Sequence, residues 1–222
     1  MKALILLILF ISFSSFAENR IKVAVIDTGL SYKQSISNYM CDNGHIAVIN
    51  SNPYDIQGHG TNIISIISKS INPKTHCIVS YKVIEHSKGN YKTILAREKA
   101  LDMILKDKLI KYINISLESN ALFKHELLTI VSLLKRGVVI SVAAGNDSIN
   151  LDKKCHVFPA CYKKYINSNN FRIVGAKGSY SNYGSIVTDI FSGYRVGYPI
   201  MTGTSQATAQ KTAQLLQKYG IK

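Results

Sequence analysis

From Ile21 onward, short apolar runs rich in β-branched residues alternate with longer stretches in which apolar residues recur at helical spacing. This alternation is typical of βαβ units, whose strands pair in parallel and are covered by helices on both faces. The sequence therefore predicts one α/β domain with a mostly parallel, twisted sheet between two helical layers. The predicted strands are Ile21–Ile26, Ile46–Ile49, Cys77–Ile84, Tyr112–Ser116, Val138–Ala143 and Phe171–Gly175; the predicted helices are His59–Lys69, Tyr91–Lys106, Leu122–Arg136 and Ser205–Tyr219; and Ile186–Phe191 and Tyr194–Pro199 form a predicted hairpin before the last helix.

Three glycine-flanked segments place an acid, an imidazole and a hydroxyl at predicted strand ends or helix starts. Asp27 follows the apolar run Val23–Ile26, His59 lies in Gly-His-Gly-Thr, and Ser205 lies in Gly-Thr-Ser-Gln-Ala-Thr. Ligands of parallel sheets bind at the carboxyl ends of the strands, where these side chains are expected. Ser205 needs a base to become nucleophilic, and His59 is the candidate, with Asp27 fixing its tautomer. Taken singly, the same residues also suit a turn, a helix start and an N-cap.

The chain order Asp, His, Ser, in these glycine contexts, resembles the subtilisin-like serine proteases, the subtilase family. The resemblance implies a serine endopeptidase that forms an acyl-enzyme, takes a polypeptide substrate and needs no cofactor. It gives Asn146, in Ala-Ala-Gly-Asn, the role of an oxyanion donor beside the Ser205 N–H. It also implies a set of substrate-binding residues, namely Ser116, Leu117, Glu118, Ala143, Ala144 and Gly145.

Several positions depart from the usual pattern of that family. Asn62 stands where a second His is usual, Gln206 where Met follows the serine, and Glu118 and Ser119 where glycines follow Ser-Leu. Glu118 either favours a basic substrate side chain or faces away from the cleft, and the sequence leaves both open. Two other functions also stay open: a catalytically silent, cationic binding protein, and an ester-hydrolysing or acyl-transfer enzyme that uses the same three residues.

Residues 1–17 are typical of an export signal, with Lys2 before the apolar run Ala3–Phe13 and small residues up to Ala17. The apolar run is too short to be a usual membrane span, although an uncleaved anchor is the alternative. We therefore predict cleavage after Ala17, no transmembrane segment afterwards, and one catalytic domain at residues 18–222. The expected location is the periplasm or the extracellular space.

The four cysteines are Cys41, Cys77, Cys155 and Cys161, and an even number in an exported chain favours disulfides over free thiols. Pairing Cys155 with Cys161 leaves Cys41 for Cys77, although four cysteines allow three pairings and the sequence alone selects none. Metal ligation is the competing interpretation, but CxxC and HxxxH spacings are absent, so no metal is predicted. Calcium is not predicted either, because the acidic residues are scattered.

The formal net charge of the chain is +14. Such a field favours anionic surfaces or acidic proteins as partners. The lysines are nevertheless spread along the chain without a run of five, which favours a solvated cationic surface over a dedicated nucleic-acid site. The expected form is a monomer.

Overall fold

A computed structural model describes residues 19–31, 36–50, 52–84 and 91–219, and the predicted export signal lies outside them. The strands of the described residues are β1 (Ile21–Asp27), β2 (Met40–Ala47), β3 (His76–Lys82), β4 (Ile110–Ile115), β5 (Val139–Ala143), β6 (Phe171–Ala176) and β7 (Asp189–Phe191). The helices are α1 (His59–Ser68), α2 (Tyr91–Lys106), α3 (Lys124–Lys135) and α4 (Thr204–Tyr219), with short 3-10 helices at Ser37–Tyr39 and Ala160–Lys164.

All seven strands form one parallel sheet in the order β2-β3-β1-β4-β5-β6-β7. Successive side chains of a strand point to opposite faces, and β1 shows the result. Val23 and Val25 join the apolar cluster that contains residues of α1 and α4, whereas Ala24 and Ile26 join the cluster that contains residues of α2 and α3. The predicted parallel sheet with helices on both faces is therefore confirmed.

The strand order changes direction beside β1. The chain runs from β1 through β2 to β3 on one side and then crosses to β4 on the other. In open α/β sheets such a switch point leaves a crevice at the carboxyl ends of the strands. Asp27 ends β1 at this edge, Ser116 follows β4, and Asn146 lies three residues beyond β5.

Two predicted elements are wrong. The hairpin is absent: Asp189–Phe191 pairs in parallel with β6, and the segment after it makes only an isolated bridge between Val196 and Met201. Asn62 holds that segment by donating to the carbonyls of Val196 and Pro199 at 2.7 and 2.5 Å, so a distant amide replaces the expected strand partner. Strand β2 begins at Met40 rather than Ile46. The other predicted bounds differ from the observed ones by at most two residues.

Both expected disulfides form. Cys41 pairs with Cys77 and Cys155 with Cys161, which selects one of the pairings that the sequence left open. Cys41 lies in the edge strand β2 and Cys77 in its neighbour β3. The first bridge therefore ties the edge of the sheet to the strand beside it.

The two disulfides are expected to differ in their effect on stability, because their sequence separations are 36 and 6 residues. Closing the longer loop removes more entropy from the unfolded chain. Replacing Cys41 and Cys77 by Ser should lower the free energy of unfolding by about 4 kcal/mol, and the same change at Cys155 and Cys161 by about 2 kcal/mol. Urea denaturation of both double variants measures this, and equal losses would contradict the loop-entropy explanation.

Candidate active site

The side chains of Asp27 and His59 form a hydrogen-bonded pair at the carboxyl end of β1. Asp27 is fully buried, and its Oδ1 accepts from the N–H of Thr28 at 2.8 Å and from His59 Nδ1 at 2.7 Å. His59 is the first residue of α1, and 27% of its side chain is exposed. With Nδ1–H donating to the carboxylate, Nε2 of the neutral ring is left as an acceptor. His59 can therefore take a proton at Nε2.

The charge of Asp27 also sets the protonation of His59. Burial lowers the pKa of His59, but the charge and hydrogen bond of Asp27, followed by the charge of Asp55, outweigh it, so the pKa is raised. The pair thus stabilises the imidazolium that forms when His59 accepts a proton. Above the raised pKa the ring is neutral and available as a base.

Asp55, which the sequence analysis did not single out, organises the loop that leads to His59. Its carboxylate is buried and accepts five hydrogen bonds from both sides of the loop. The donors are the hydroxyl of Thr28, the N–H groups of Gln57, Gly58 and Thr61, and the hydroxyl of Thr61. An Asp shortly before a glycine is a turn signal that was available in the sequence.

Ser205 lies at the start of α4 and shares a cleft with His59. Its Oγ donates to the carbonyl of Ser116 at 3.1 Å, and no hydrogen bond joins it to His59. A rotation of the Ser205 side chain is therefore needed to bring its proton to Nε2, and such contacts often tighten only when substrate binds.

Asn146 lines the same cleft. Its Oδ1 accepts from the N–H and the hydroxyl of Thr204 at 2.9 and 3.1 Å. These two bonds occupy the oxygen and leave the amide N–H groups for another acceptor. The Ser205 N–H lies in the first turn of α4, where backbone N–H groups have no acceptor within the helix.

Replacing Asn146 with Ala is expected to lower kcat by about 10²–10³-fold with little change in KM, because an oxyanion donor acts mainly in the transition state. Steady-state kinetics on one peptide substrate measures both constants. Asn120→Ala is the matched control, since Asn120 also lines the cleft but lies outside the proposed reacting groups. An unchanged kcat in Asn146→Ala would rule out the oxyanion role.

The cleft has a volume of about 1050 Å³. Of the predicted substrate-binding residues, Ser116, Leu117, Glu118 and Ala143 line it. Ala144 and Gly145 lie behind them: Ala144 is fully buried, and its carbonyl accepts from Asn182 Nδ2 at 2.9 Å. Further lining residues were not expected from the sequence. They are Asp147, directly after Asn146, and residues of other segments that include Tyr91, Thr93, Ile94, Phe123 and His156.

Asn62 and Gln206, two residues that differ from the usual pattern of the family, are hydrogen-bonded to each other. Gln206 Nε2 donates to Asn62 Oδ1 at 2.8 Å, and both side chains are buried. Asn62 lies in α1, three residues after His59, and Gln206 follows Ser205 in α4. This amide pair thus joins the helix that carries the base to the helix that carries the hydroxyl.

Within the described ranges, no group of three or more His, Cys, Asp and Glu side chains is arranged to hold a metal ion. No helix in that same part of the chain is both long and apolar enough to cross a membrane.

Comparisons with known proteins agree with the fold. The family model of Peptidase S8, the subtilase family, matches residues 18–220. A solved lanthipeptide protease is similar at 22% identity with a TM-score of 0.74, covering 89% of this chain and 72% of that chain. A cold-adapted subtilisin-like serine proteinase is similar at 22% identity with a TM-score of 0.68, covering 89% and 76%. The epidermin leader peptide processing serine protease (EpiP) from Staphylococcus aureus is similar at 20% identity with a TM-score of 0.71, covering 92% and 66%. No curated protein matches the chain.

Proposed function

This chain belongs to the subtilase family, and we propose that it is a secreted serine endopeptidase in which Asp27, His59 and Ser205 act together. The family makes it a serine protease with polypeptide substrates. The observation that carries the assignment of residues is the 2.7 Å hydrogen bond between Asp27 and His59 at the cleft that Ser205 lines. The two disulfides support export, because such bonds persist in oxidising compartments.

In the proposed reaction, Ser205 Oγ attacks a peptide carbonyl while His59 Nε2 takes the hydroxyl proton. Asp27 stabilises the imidazolium, and the Asn146 amide and the Ser205 N–H donate to the oxyanion. His59 then gives its proton to the departing amine, and the acyl-enzyme remains on Ser205. Water, deprotonated by His59, attacks the ester, and return of the proton to Ser205 Oγ releases the carboxylic acid product.

The proposal is tested by labelling the mature protein with a serine-directed fluorophosphonate and recording its intact mass. We expect one adduct on the wild-type protein and none on Ser205→Ala or His59→Ala, because the probe reports an activated serine. Loss of casein cleavage in the same two variants should accompany the loss of labelling. Casein cleavage that survives Ser205→Ala would overturn the mechanism.

The same experiment separates the other two functions. A folded wild-type protein that takes no label would be a silent binding scaffold. A protein that takes the label and hydrolyses esters, yet leaves casein and peptides intact, would be an esterase or acyl-transfer enzyme. The intact mass of the exported protein also reports whether cleavage occurs after Ala17.

A further inference from the structure

Glu118 is an exposed residue that lines the cleft, and its carboxylate approaches Gly145. A methyl carbon built at Gly145 would meet Asn182 Nδ2 first, and would be 2.7 Å from Glu118 Oε2 and 3.2 Å from Val157 Cγ1. Glu118 belongs to the segment that follows β4, and Gly145 to the segment that follows β5. The carboxylate therefore lies between these two segments. Of the two alternatives that the sequence left open, the position of Glu118 in the cleft lining favours the one that serves the cleft.

A second carboxylate, that of Asp147, lines the same cleft directly after Asn146. Neither carboxylate forms a hydrogen bond or an ion pair with the part of the chain that the structure describes. Burial, followed by the charge of Asp147, raises the pKa of Glu118, which indicates that the two acids lie close enough to repel each other. No Lys or Arg of the described residues lines the cleft, although the chain carries a net charge of +14.

In the proposed reaction the attacked carbonyl lies at Ser205 and the Asn146 amide, and both residues line the same cleft as Glu118 and Asp147. Asp147 directly follows Asn146, so the side chain of the residue that supplies this carbonyl lies near the two carboxylates. We propose that the cleft selects Arg or Lys at this substrate position and that Glu118, assisted by Asp147, binds the cationic end. This inference rests on the proposed endopeptidase function. Both acidic residues are exposed and have no hydrogen-bond partner for their carboxylates among the described residues, so a substrate cation can pair with them, and a charged hydrogen bond is stronger than a neutral one.

The test compares peptides that are identical except for Arg, citrulline, Leu or Glu at the residue before the cleaved bond. Arg and citrulline have nearly the same shape and differ in charge, so they form the matched substrate pair. We expect kcat/KM for Arg to exceed that for citrulline by about tenfold or more, with Glu cleaved least.

Glu118→Gln should bring the Arg-to-citrulline ratio close to one, and Asp147→Asn should reduce it in part. Asp42→Asn is the control: it makes the same charge change at an exposed residue of β2, away from the cleft, and should keep the wild-type ratio. Melting temperatures establish that each variant is folded.

Fluorophosphonate labelling of the wild-type protein distinguishes failure of the proposed specificity from failure of the proposed function. A labelled enzyme that cleaves Arg and citrulline peptides equally, or whose ratio survives Glu118→Gln, would overturn the specificity while leaving the proposed function standing. An unlabelled, folded enzyme would overturn the proposed function and, with it, this inference.

Discussion

Replacing Asp27 with Asn is expected to lower kcat by about 10⁴-fold without unfolding the protein, the loss that this change causes in another serine protease with the same triad. Asp27 Oδ1 accepts from His59 Nδ1 and from the Thr28 N–H, and both bonds require an acceptor. An asparagine that turns its amide N–H toward His59 favours the tautomer with the proton on Nε2. That tautomer cannot accept the proton of Ser205, so the nucleophile loses its base.

The pH profile gives this prediction a second readout. In the wild-type enzyme kcat/KM should fall as the pH drops through the raised pKa of His59, because the protonated ring is no longer a base. The charge and hydrogen bond of Asp27 hold that pKa up, so in Asp27→Asn the acid limb of the residual activity should move to lower pH. Asp55→Asn is the comparison, since Asp55 contributes only charge to His59 and should move the limb less. An unmoved limb in Asp27→Asn would mean that another group controls it.

Replacing Glu126 with Gln is expected to lower the free energy of unfolding by about 3–5 kcal/mol, the cost of removing one charge from a buried ion pair. Arg97 in α2 and Glu126 in α3 are both fully buried and paired, and the Tyr162 hydroxyl donates to Glu126 Oε2 at 2.7 Å. Arg97 Nη1 already lacks a hydrogen bond. Without the carboxylate charge, a guanidinium would be left in the interior with little to offset its lost hydration.

Urea denaturation measures this loss, and the double variant Arg97→Met with Glu126→Leu is its control. Because the double variant leaves no unpaired charge, we expect it to be more stable than Glu126→Gln alone. A double variant that is less stable than the single one would show that the ion pair stabilises the protein by more than the burial of its two charges costs.

Arg97 also donates to Ser119, the neighbour of Glu118, at 3.1 Å, so Glu126→Gln should also raise KM for Arg peptides.

The sequence alone was sufficient where the signal is local. Buried parallel strands such as Val23–Ile26 are continuous apolar runs, and Asp27, His59 and Ser205 each have a glycine within two residues. Contacts between residues that are far apart along the chain could not be predicted, because no local sequence pattern marks them. Asn62 and Gln206 stand 144 positions apart, and their amide pair was visible only as two unusual residues. The approach of Glu118 to Gly145 depends on how the ends of β4 and β5 lie side by side. The sequence of either segment alone does not predict this arrangement.

Strand β2 was misplaced for a different physical reason. It contains the polar run Asp42–His45, whereas the prediction followed the apolar residues near Ile46. An edge strand needs only backbone pairing along one side, and Cys41 holds this one to Cys77. Hydrophobic periodicity therefore carries little information about such a strand.

The two outer edges of the sheet also bear on how the protein behaves at high concentration. At one edge, β2 pairs with β3 at Met40 and again only from His45 onward, and the backbone of Asn43 between them has a φ angle in the left-handed region. At the other edge, β7 has only three residues. Long, flat, unpaired edges recruit strands from other chains and start aggregation. Across the described ranges the sheet presents only short or interrupted edges, so copies of the folded protein have little backbone on which to stack edge to edge.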